Sequence, residues 1–434
     1  MDVPFTRQVL DNGLNVIVHE AHGCPIVAVN LWYHVGSKNE VPGRTGFAHL
    51  FEHLMFEGSE HHDKGYFQPL QEAGALLNGS TNADRTNYWE VVPTSALEVA
   101  LWMESDRMGY LLPALTQAKF DNQRDVVLNE RRQNYENRPY GLAPMAILEA
   151  LYPPDHPYHW LTIGVPDDLH AASLDDVRAF FATYYHPGNA SLAIAGDIDS
   201  AHAFERARQY FGDIPAGPPV APVRPAPASL AGETRVLLED RVELPRVYMT
   251  WHTPGLFQPD DAEMDLLADV LTSGKSSRLY KVLVYERRIA TEVAAIQNSR
   301  EAAGFFQVIA TAAPGHTLGE VREAIDEELR RMASEGPTDD ELARAQVQFE
   351  AQFMFGLQNV GGFGGKSDQL NAYNVFLGRP GWFDSDLARY RDATPAGLRA
   401  VAARYITDGV VVASVVPRGR HDLAVSESTA VVPS

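Results

Sequence analysis

The sequence predicts an α+β fold: an α/β sandwich in which two homologous domains of an internally duplicated chain each pack a β-sheet against helices. Three observations support this prediction. The chain has 434 residues, more than one average domain. Its two halves contain similar segments, and a proline-rich stretch lies near its midpoint. We therefore expect a first domain at 1–214, a linker at 215–233 and a second domain at 234–434.

The internal repeat is clearest where a helical pattern precedes a strand pattern. VRAFFATYYHPGNASLAIAGD begins at Val177, and LRAVAARYITDGVVVASVVPR begins at Leu398. Each is typical of an amphipathic helix followed by a β-rich strand. The apolar strands predicted at Val27–Trp32 and Val247–Trp251 are a further similar pair. The residues that recur in the repeat are Arg178, Ala179 and Tyr184, which return as Arg399, Ala400 and Tyr405.

The linker is predicted from its composition. Pro215–Ala231 reads PAGPPVAPVRPAPASLA. Its prolines cannot enter a helix interior and favour an extended, semi-rigid tether.

A short motif in the first half points to chemistry. The stretch HLFEH places His49, Glu52 and His53 at positions i, i+3 and i+4, on one face of a helix. This is the H-x-x-E-H spacing of the inverzincins, in which both imidazoles bind zinc. Glu52 cannot easily reach the same ion from that helix, so it is left to accept a proton from metal-bound water as a general base. The alternative is a histidine-rich end of a surface helix.

A third candidate ligand lies on the helix predicted at Phe120–Tyr135. Its apolar positions, such as Val127, give this helix one buried side, and Glu130 lies close to that side. Glu130 is therefore a candidate metal ligand. The alternative pairs it with Arg131 or Arg132 in a solvated charge cluster.

Composition excludes several classes of function. The net charge of −21 argues against non-specific nucleic-acid binding and against an anionic membrane surface. The single cysteine, Cys24, cannot form an internal disulfide or a thiolate metal cage. No run of 18 apolar residues and no signal-peptide pattern occurs. We expect a soluble protein without a membrane segment, and bacterial periplasm and cytoplasm both remain open.

The motifs resemble those of the pitrilysin/insulysin family of zinc peptidases, and of its short, two-chain branch that includes the mitochondrial processing peptidases. The stretches GSTNADRTNYWEVVP from Gly79 and NERRQNYENRPYG from Asn129 are also similar to the family. The resemblance implies one zinc ion per chain, bound by His49, His53 and Glu130. The number of residues between His53 and Glu130 also fits the family.

The resemblance has further implications for the first domain. The family usually has a second glutamate seven residues before the third ligand, where this chain has Gln123. An amide there can orient a ligand by a hydrogen bond but adds no negative charge. We expect a strand at Leu76–Pro93, and if it lies at a sheet edge its backbone can pair with an extended peptide. By resemblance Asn82 and Ala83 would make this pairing. The alternative is an interior strand with Asn82 in a turn.

The second half contains no copy of the metal motif. The corresponding stretch from Glu263 reads EMDLLADVLTSGKSSRLY, so we expect a metal-free domain. Self-sufficient family members carry an arginine and a tyrosine that stabilise the tetrahedral intermediate, and the matching positions here are Val284 and Thr291. The resemblance therefore implies a heterodimer, rather than a homodimer, with a homologous zinc-free subunit that supplies the pair.

Together these features predict a zinc-dependent endopeptidase or oligopeptidase that cleaves extended peptides in an enclosed chamber, with the metal-bound water activated by Glu52. The alternative is a non-catalytic structural subunit of the same fold. Such degenerate relatives lose ligand residues, whereas His49, Glu52, His53 and Glu130 are all present. This favours the enzyme.

Overall fold

The computed structural model describes residues 3–434, which form two six-stranded sheets. The strands of the first sheet are β1 (Thr6–Val9), β2 (Asn15–Glu20), β3 (Ile26–Tyr33), β4 (Leu76–Thr81), β5 (Thr86–Pro93) and β6 (Ala190–Gly196). Their order in space is β1-β2-β6-β3-β5-β4. β2 and β6 are parallel, and the other neighbours are antiparallel. The central strands β3 and β6 are almost wholly buried, which explains their continuous apolar sequences.

The second sheet repeats this topology except at one edge. Its order is β12-β7-β11-β8-β10-β9, and β7 is parallel both to β11 and to the edge strand β12, whereas the corresponding edge pair of the first sheet is antiparallel. β8 contains the segment Val247–Trp251 and occupies the same place in the order as β3, which contains Val27–Trp32. The predicted α+β fold with two homologous sheet domains is thus confirmed. The strands are β7 (Thr234–Asp240), β8 (Arg246–Thr253), β9 (Ala290–Asn298), β10 (Gly304–Ala312), β11 (Val411–Pro417) and β12 (Thr429–Ala430).

Helices cover the sheets. They are α1 (Phe47–Leu54), α2 (Phe67–Glu72), α3 (Leu97–Ala114), α4 (Gln117–Arg131), α5 (Ala143–Leu151), α6 (Pro166–Ala171), α7 (Leu174–Tyr184), α8 (Ser200–Phe211), α9 (Asp261–Thr272), α10 (Leu318–Glu335), α11 (Asp339–Gly356), α12 (Lys366–Leu377), α13 (Phe383–Arg391) and α14 (Pro395–Tyr405). Single π-helical turns follow at Arg132–Glu136 and Tyr280–Glu286. Among the helices of residues 3–434, none combines the length and the apolar run that crossing a bilayer requires.

Between the end of α8 and the start of β7 the chain forms no helix or strand, in the region of the proline-rich linker. The chain packs into two compact units, and each unit combines segments that are distant in sequence. The first is Met1–Asn129, Thr162–Val223 and Gln352–Asp384, and the second is Glu130–Leu161, Arg224–Ala351 and Ser385–Ser434.

The first unit includes α12, which comes from the second half of the sequence. α12 packs against β3 and β6. The side-chain amide of Asn371 donates to the Asn30 carbonyl, and its oxygen accepts from the Ser191 hydroxyl. Because these polar groups are buried, their pairing fixes α12 on one face of the first sheet.

Candidate metal centre

Helix α1 presents its polar residues on one side. Its apolar side chains are buried, whereas His49, Glu52 and His53 are only half-buried. The Glu40 carboxylate accepts hydrogen bonds from the backbone N–H groups of Gly46 and Ala48, both at 2.9 Å. A carboxylate at a helix N-terminus satisfies donors that have no partner within the helix and favours its dipole, so Glu40 stabilises the start of α1.

The structure brings three potential metal ligands together. One ligand atom each of His49, His53 and Glu130 lies within 4.8 Å of the others. The two imidazole rings are nearly perpendicular, with centroids 4.8 Å apart. Glu130 lies in the last turn of α4, a helix whose residues up to Asn129 belong to the first unit. Two imidazoles and one carboxylate are a donor set that suits zinc with an open coordination position.

The protonation state of His49 also fits a metal ligand. Burial, with a smaller effect of the neighbouring His53, lowers the pKa of His49 to about 3. The imidazole is therefore neutral at ordinary pH, and only neutral imidazole has a lone pair available to coordinate a cation.

Glu52 is not part of this three-residue group. Its charge is felt by Arg85, which lies in the turn after β4, and by the buried Tyr88 and Tyr185. Burial raises the pKa of both tyrosines, and the Glu52 charge adds to that effect. Glu52 thus lies on the ligand helix within electrostatic reach of the β4–β5 hairpin.

The side chain of Gln123 donates a hydrogen bond to the carboxylate of Glu57. Glu57 follows His53 by four residues and lies just beyond the end of α1 at Leu54. The sequence indicated Gln123 only as a partner of the ligands. No helical spacing pointed to Glu57, because the helix ends before it.

The edge strand next to this helix is shorter than expected. Leu76–Pro93 forms a hairpin, in which β4 pairs with β5 and lies at the edge of the sheet. Asn82 and Ala83 lie in the turn, where their carbonyl oxygens accept hydrogen bonds from the Ser37 and Lys38 amides. Pairing of a peptide with Asn82 and Ala83 stays a prediction, and the backbone of β4 is a further candidate for it. The side-chain oxygen of Asn82 accepts hydrogen bonds from the backbone N–H groups of Asp84 and Arg85. This turn ends the strand before Asn82.

Hydrogen-bond alternation identifies the backbone groups of β4 that face away from β5. Asn82 N–H donates to the Arg85 carbonyl across the hairpin. Hydrogen-bonded and non-bonded pairs alternate along an antiparallel ladder, so Leu77, Gly79 and Thr81 direct their backbone groups away from β5. The Gly79 amide is held by the side chain of the preceding Asn78, at 2.8 Å.

In the second unit, Val284 packs against the core, and the Thr291 hydroxyl lies 3.4 Å from the Thr311 carbonyl oxygen. Arg287 pairs with Glu327, and Tyr285 is largely exposed. The basic and aromatic side chains of this segment are thus directed to the surface of their own unit.

Comparison with known proteins gives a consistent result. Residues 15–156 match the family described as Insulinase (Peptidase family M16), and residues 171–349 match the family described as Peptidase M16 inactive domain. The chain is 30% identical to the zinc protease PqqE of Helicobacter pylori, over 81% of this chain and 79% of that protein. It is 23% identical to a probable mitochondrial-processing peptidase subunit beta of Arabidopsis thaliana, over 94% of this chain and 77% of that protein. The crystal structure of a protease from Helicobacter pylori superimposes with a TM-score of 0.88 at 26% identity, covering 95% of this chain and all of that one.

Proposed function

The chain belongs to the insulinase family of zinc metallopeptidases, peptidase family M16, and we propose that it hydrolyses peptide bonds of extended peptides with Glu52 as the general base. The observation that carries the proposal is the grouping of ligand atoms of His49, His53 and Glu130 within 4.8 Å of one another, with Glu52 on the same helix as the two histidines. We assign the three grouped residues as ligands of one zinc ion.

A bound zinc ion would polarise a water molecule and the scissile carbonyl. Glu52 would accept the proton of the attacking water and later pass it to the leaving amine. The outward-facing backbone groups of β4 would pair with the substrate backbone, a mode of binding that does not depend on substrate sequence. Such pairing keeps the peptide extended, which positions the scissile bond.

The proposal includes a homologous partner. Val284 and Thr291 cannot donate to the oxyanion of the intermediate as the expected arginine and tyrosine would. One relative of this chain is named as a subunit, the processing peptidase subunit beta. We therefore propose a heterodimer that encloses the peptide, with the missing donors supplied by the second chain.

Replacement of the base tests the catalytic assignment. Glu52→Gln should retain zinc, because no ligand changes, but should lose at least roughly a hundredfold in kcat, since an amide cannot accept the water's proton. Metal analysis of the chain, and cleavage of a quenched fluorescent peptide by the chain mixed with its homologous partner, measure both quantities. The matched control is Glu72→Gln, an exposed glutamate in the same unit, which should leave both unchanged. Turnover close to wild type by a zinc-loaded Glu52→Gln protein would remove Glu52 from this role.

A further inference from the structure

A pocket of about 570 Å³ opens on the face of the first sheet that is opposite to helix α1. Register and contacts define the two faces. Gly79 pairs with Tyr88, whose hydroxyl contacts the Phe51 carbonyl of α1 at 3.5 Å. Side chains alternate along strands, so Leu76 of β4 and its register partner Val91 lie on the other face, where both line the pocket.

The glycine run Gly361–Gly365 forms one wall of this pocket. A Cβ atom on Gly361 would lie 2.6 Å from both the Ala28 Cβ and a Val91 methyl carbon, so only glycine lets the backbone approach the sheet this closely. The neighbouring Phe363 ring packs edge-on against Trp89, with centroids 5.5 Å apart. The glycine wall thus packs closely against this face of the sheet.

The carboxylate of Asp368 holds this wall in place by hydrogen bonds. Asp368 accepts hydrogen bonds from the Gly364 amide and from the Trp32 indole, both at 2.8 Å. It also accepts from the side-chain amides of Asn30 and Asn87, at 3.2 and 3.1 Å. One side chain therefore joins the loop to two neighbouring strands, β3 and β5, and the pocket is formed before any ligand arrives.

The lining determines which ligand chemistry the pocket suits. Most of its larger side chains are apolar, namely Ile26, Leu76, Trp89, Val91 and Val360. Gln358 and Asn359 are polar, and Lys366 is its one charged lining residue. The volume lies in the usual range for ligand pockets, which are mostly apolar. Leu76 is 70% exposed, so a ligand at this place would remove apolar surface from water.

The position of the pocket at the sheet edge identifies the occupant. A peptide paired with β4 places every second side chain on the pocket face, opposite residues such as Leu76 and Asn78. Leu76 is at one end of β4, whereas Arg85, which is within electrostatic reach of Glu52, follows the other end. Leu76 and Thr81 are roughly 17 Å apart along the strand, so the pocket lies several substrate residues from the scissile bond.

We propose that this pocket is a specificity subsite, in which a large apolar or aromatic side chain of the bound peptide, remote from the scissile bond, is seated between the β4 edge and the glycine wall. The inference rests on the proposed function, because it requires a peptide on β4.

Substitution at the exposed rim tests the subsite by activity. Peptides that vary at one position should be cleaved with kcat/KM about tenfold higher for Phe or Leu than for Asp at the subsite position, as burial of a large apolar side chain implies. Leu76→Glu should abolish this preference and favour Lys at that position. Val9→Glu, at an apolar residue that is 57% exposed on the opposite sheet edge, should retain it. An unchanged preference in Leu76→Glu would overturn the proposal.

Cys24 provides a second readout that is independent of turnover. It is the single cysteine of the chain, is exposed and lines the pocket. In zinc-loaded Glu52→Gln protein, a saturating Phe-containing peptide should slow alkylation of Cys24 by iodoacetamide about tenfold, as measured by mass spectrometry, and the matching Asp peptide should slow it much less. Leu76→Glu should remove the protection and Val9→Glu should keep it.

The outcomes separate the two proposals. If the peptide binds, as shown by fluorescence polarisation, but Cys24 reacts at an unchanged rate, the subsite is wrong and the peptidase assignment stands. If the zinc-loaded chain neither binds nor cleaves any peptide, with or without a homologous partner, both are wrong.

Discussion

At the scale of single residues, the candidate zinc site depends on the burial of His49. Removal from water keeps its imidazole neutral, with a pKa lowered to about 3. The site therefore needs no deprotonation of His49 before a cation binds. Glu130 supplies the negative charge of the ligand group, because the neutral imidazoles carry no charge.

Glu130→Gln should therefore lower zinc occupancy as well as activity, because a neutral amide is a poor replacement for one of three protein ligands. Metal analysis of the purified variant after dialysis against a weak chelator measures this. Glu136→Gln and Glu149→Gln are matched controls, since these carboxylates accept hydrogen bonds from Arg131 and Ser434. Full zinc in Glu130→Gln, or its loss in either control, would place the third ligand elsewhere.

At the scale of elements, strand β4 is the proposed binding site for the substrate backbone, a function that the metal ligands do not provide. Its outward backbone groups are at Leu77, Gly79 and Thr81, as the hairpin register implies. An edge strand with free backbone groups is a template for another strand, and an extended peptide is the natural partner.

Leu77→Pro removes one outward N–H without breaking a hairpin bond. We expect kcat/KM to fall roughly five- to tenfold, the value of one hydrogen bond, with zinc content and melting temperature little changed. Leu76→Pro is the matched comparison, because its N–H faces β5, and it should reduce stability instead. If both variants lose only stability, the substrate does not pair with β4 through this group.

Helix α9 contains Asp265, an acidic residue that lies against the core of the second unit. Burial raises the pKa of Asp265 to about 7, and the Tyr390 hydroxyl donates a hydrogen bond to its carboxyl group at 2.7 Å. Because the pKa is higher in the folded state than in the unfolded state, the folded state binds more protons between pH 4 and 7. The stability contribution of Asp265 is full at low pH and is lost as the pH rises through 7.

Asp265→Asn should remove this dependence. At pH 8 the variant should be more stable than wild type by up to about 4 kcal/mol, and near pH 4 the difference should disappear. Urea unfolding of the metal-free proteins at both pH values measures the two differences. Asp392→Asn, an exposed aspartate of the same unit, should match wild type at both. A pH-independent difference for Asp265→Asn would mean that Asp265 is ionised throughout.

At the scale of the whole molecule, the chain carries the proposed ligands and base but lacks the expected oxyanion donors. Val284 packs against the core of the second unit and Thr291 contacts a backbone carbonyl, so neither position offers a cationic or phenolic donor. Loss of even one such donor costs about 3 kcal/mol, or roughly a hundredfold in rate.

The isolated chain should consequently be folded, zinc-loaded and nearly inactive. A homologous chain with arginine and tyrosine at the matching positions should restore cleavage by a hundredfold or more. Specific activity of the chain alone and of the equimolar mixture measures this effect, and a partner with both residues changed to alanine is the control. Full activity of the lone chain, unaffected by the partner, would contradict the heterodimer.

The sequence by itself determined the duplicated α+β architecture and the grouping of His49, Glu52 and His53. Both follow from local rules, because strand and helix periodicities place neighbouring residues on fixed faces. Only tertiary structure decided which distant segments meet: Glu130 beside the two histidines, Glu57 on Gln123, and α12 with its glycine wall on the first sheet. It also placed Asn82 and Ala83 in the turn that follows the edge strand β4. Such contacts depend on burial and hydrogen bonding between residues far apart in the chain, which no local pattern specifies.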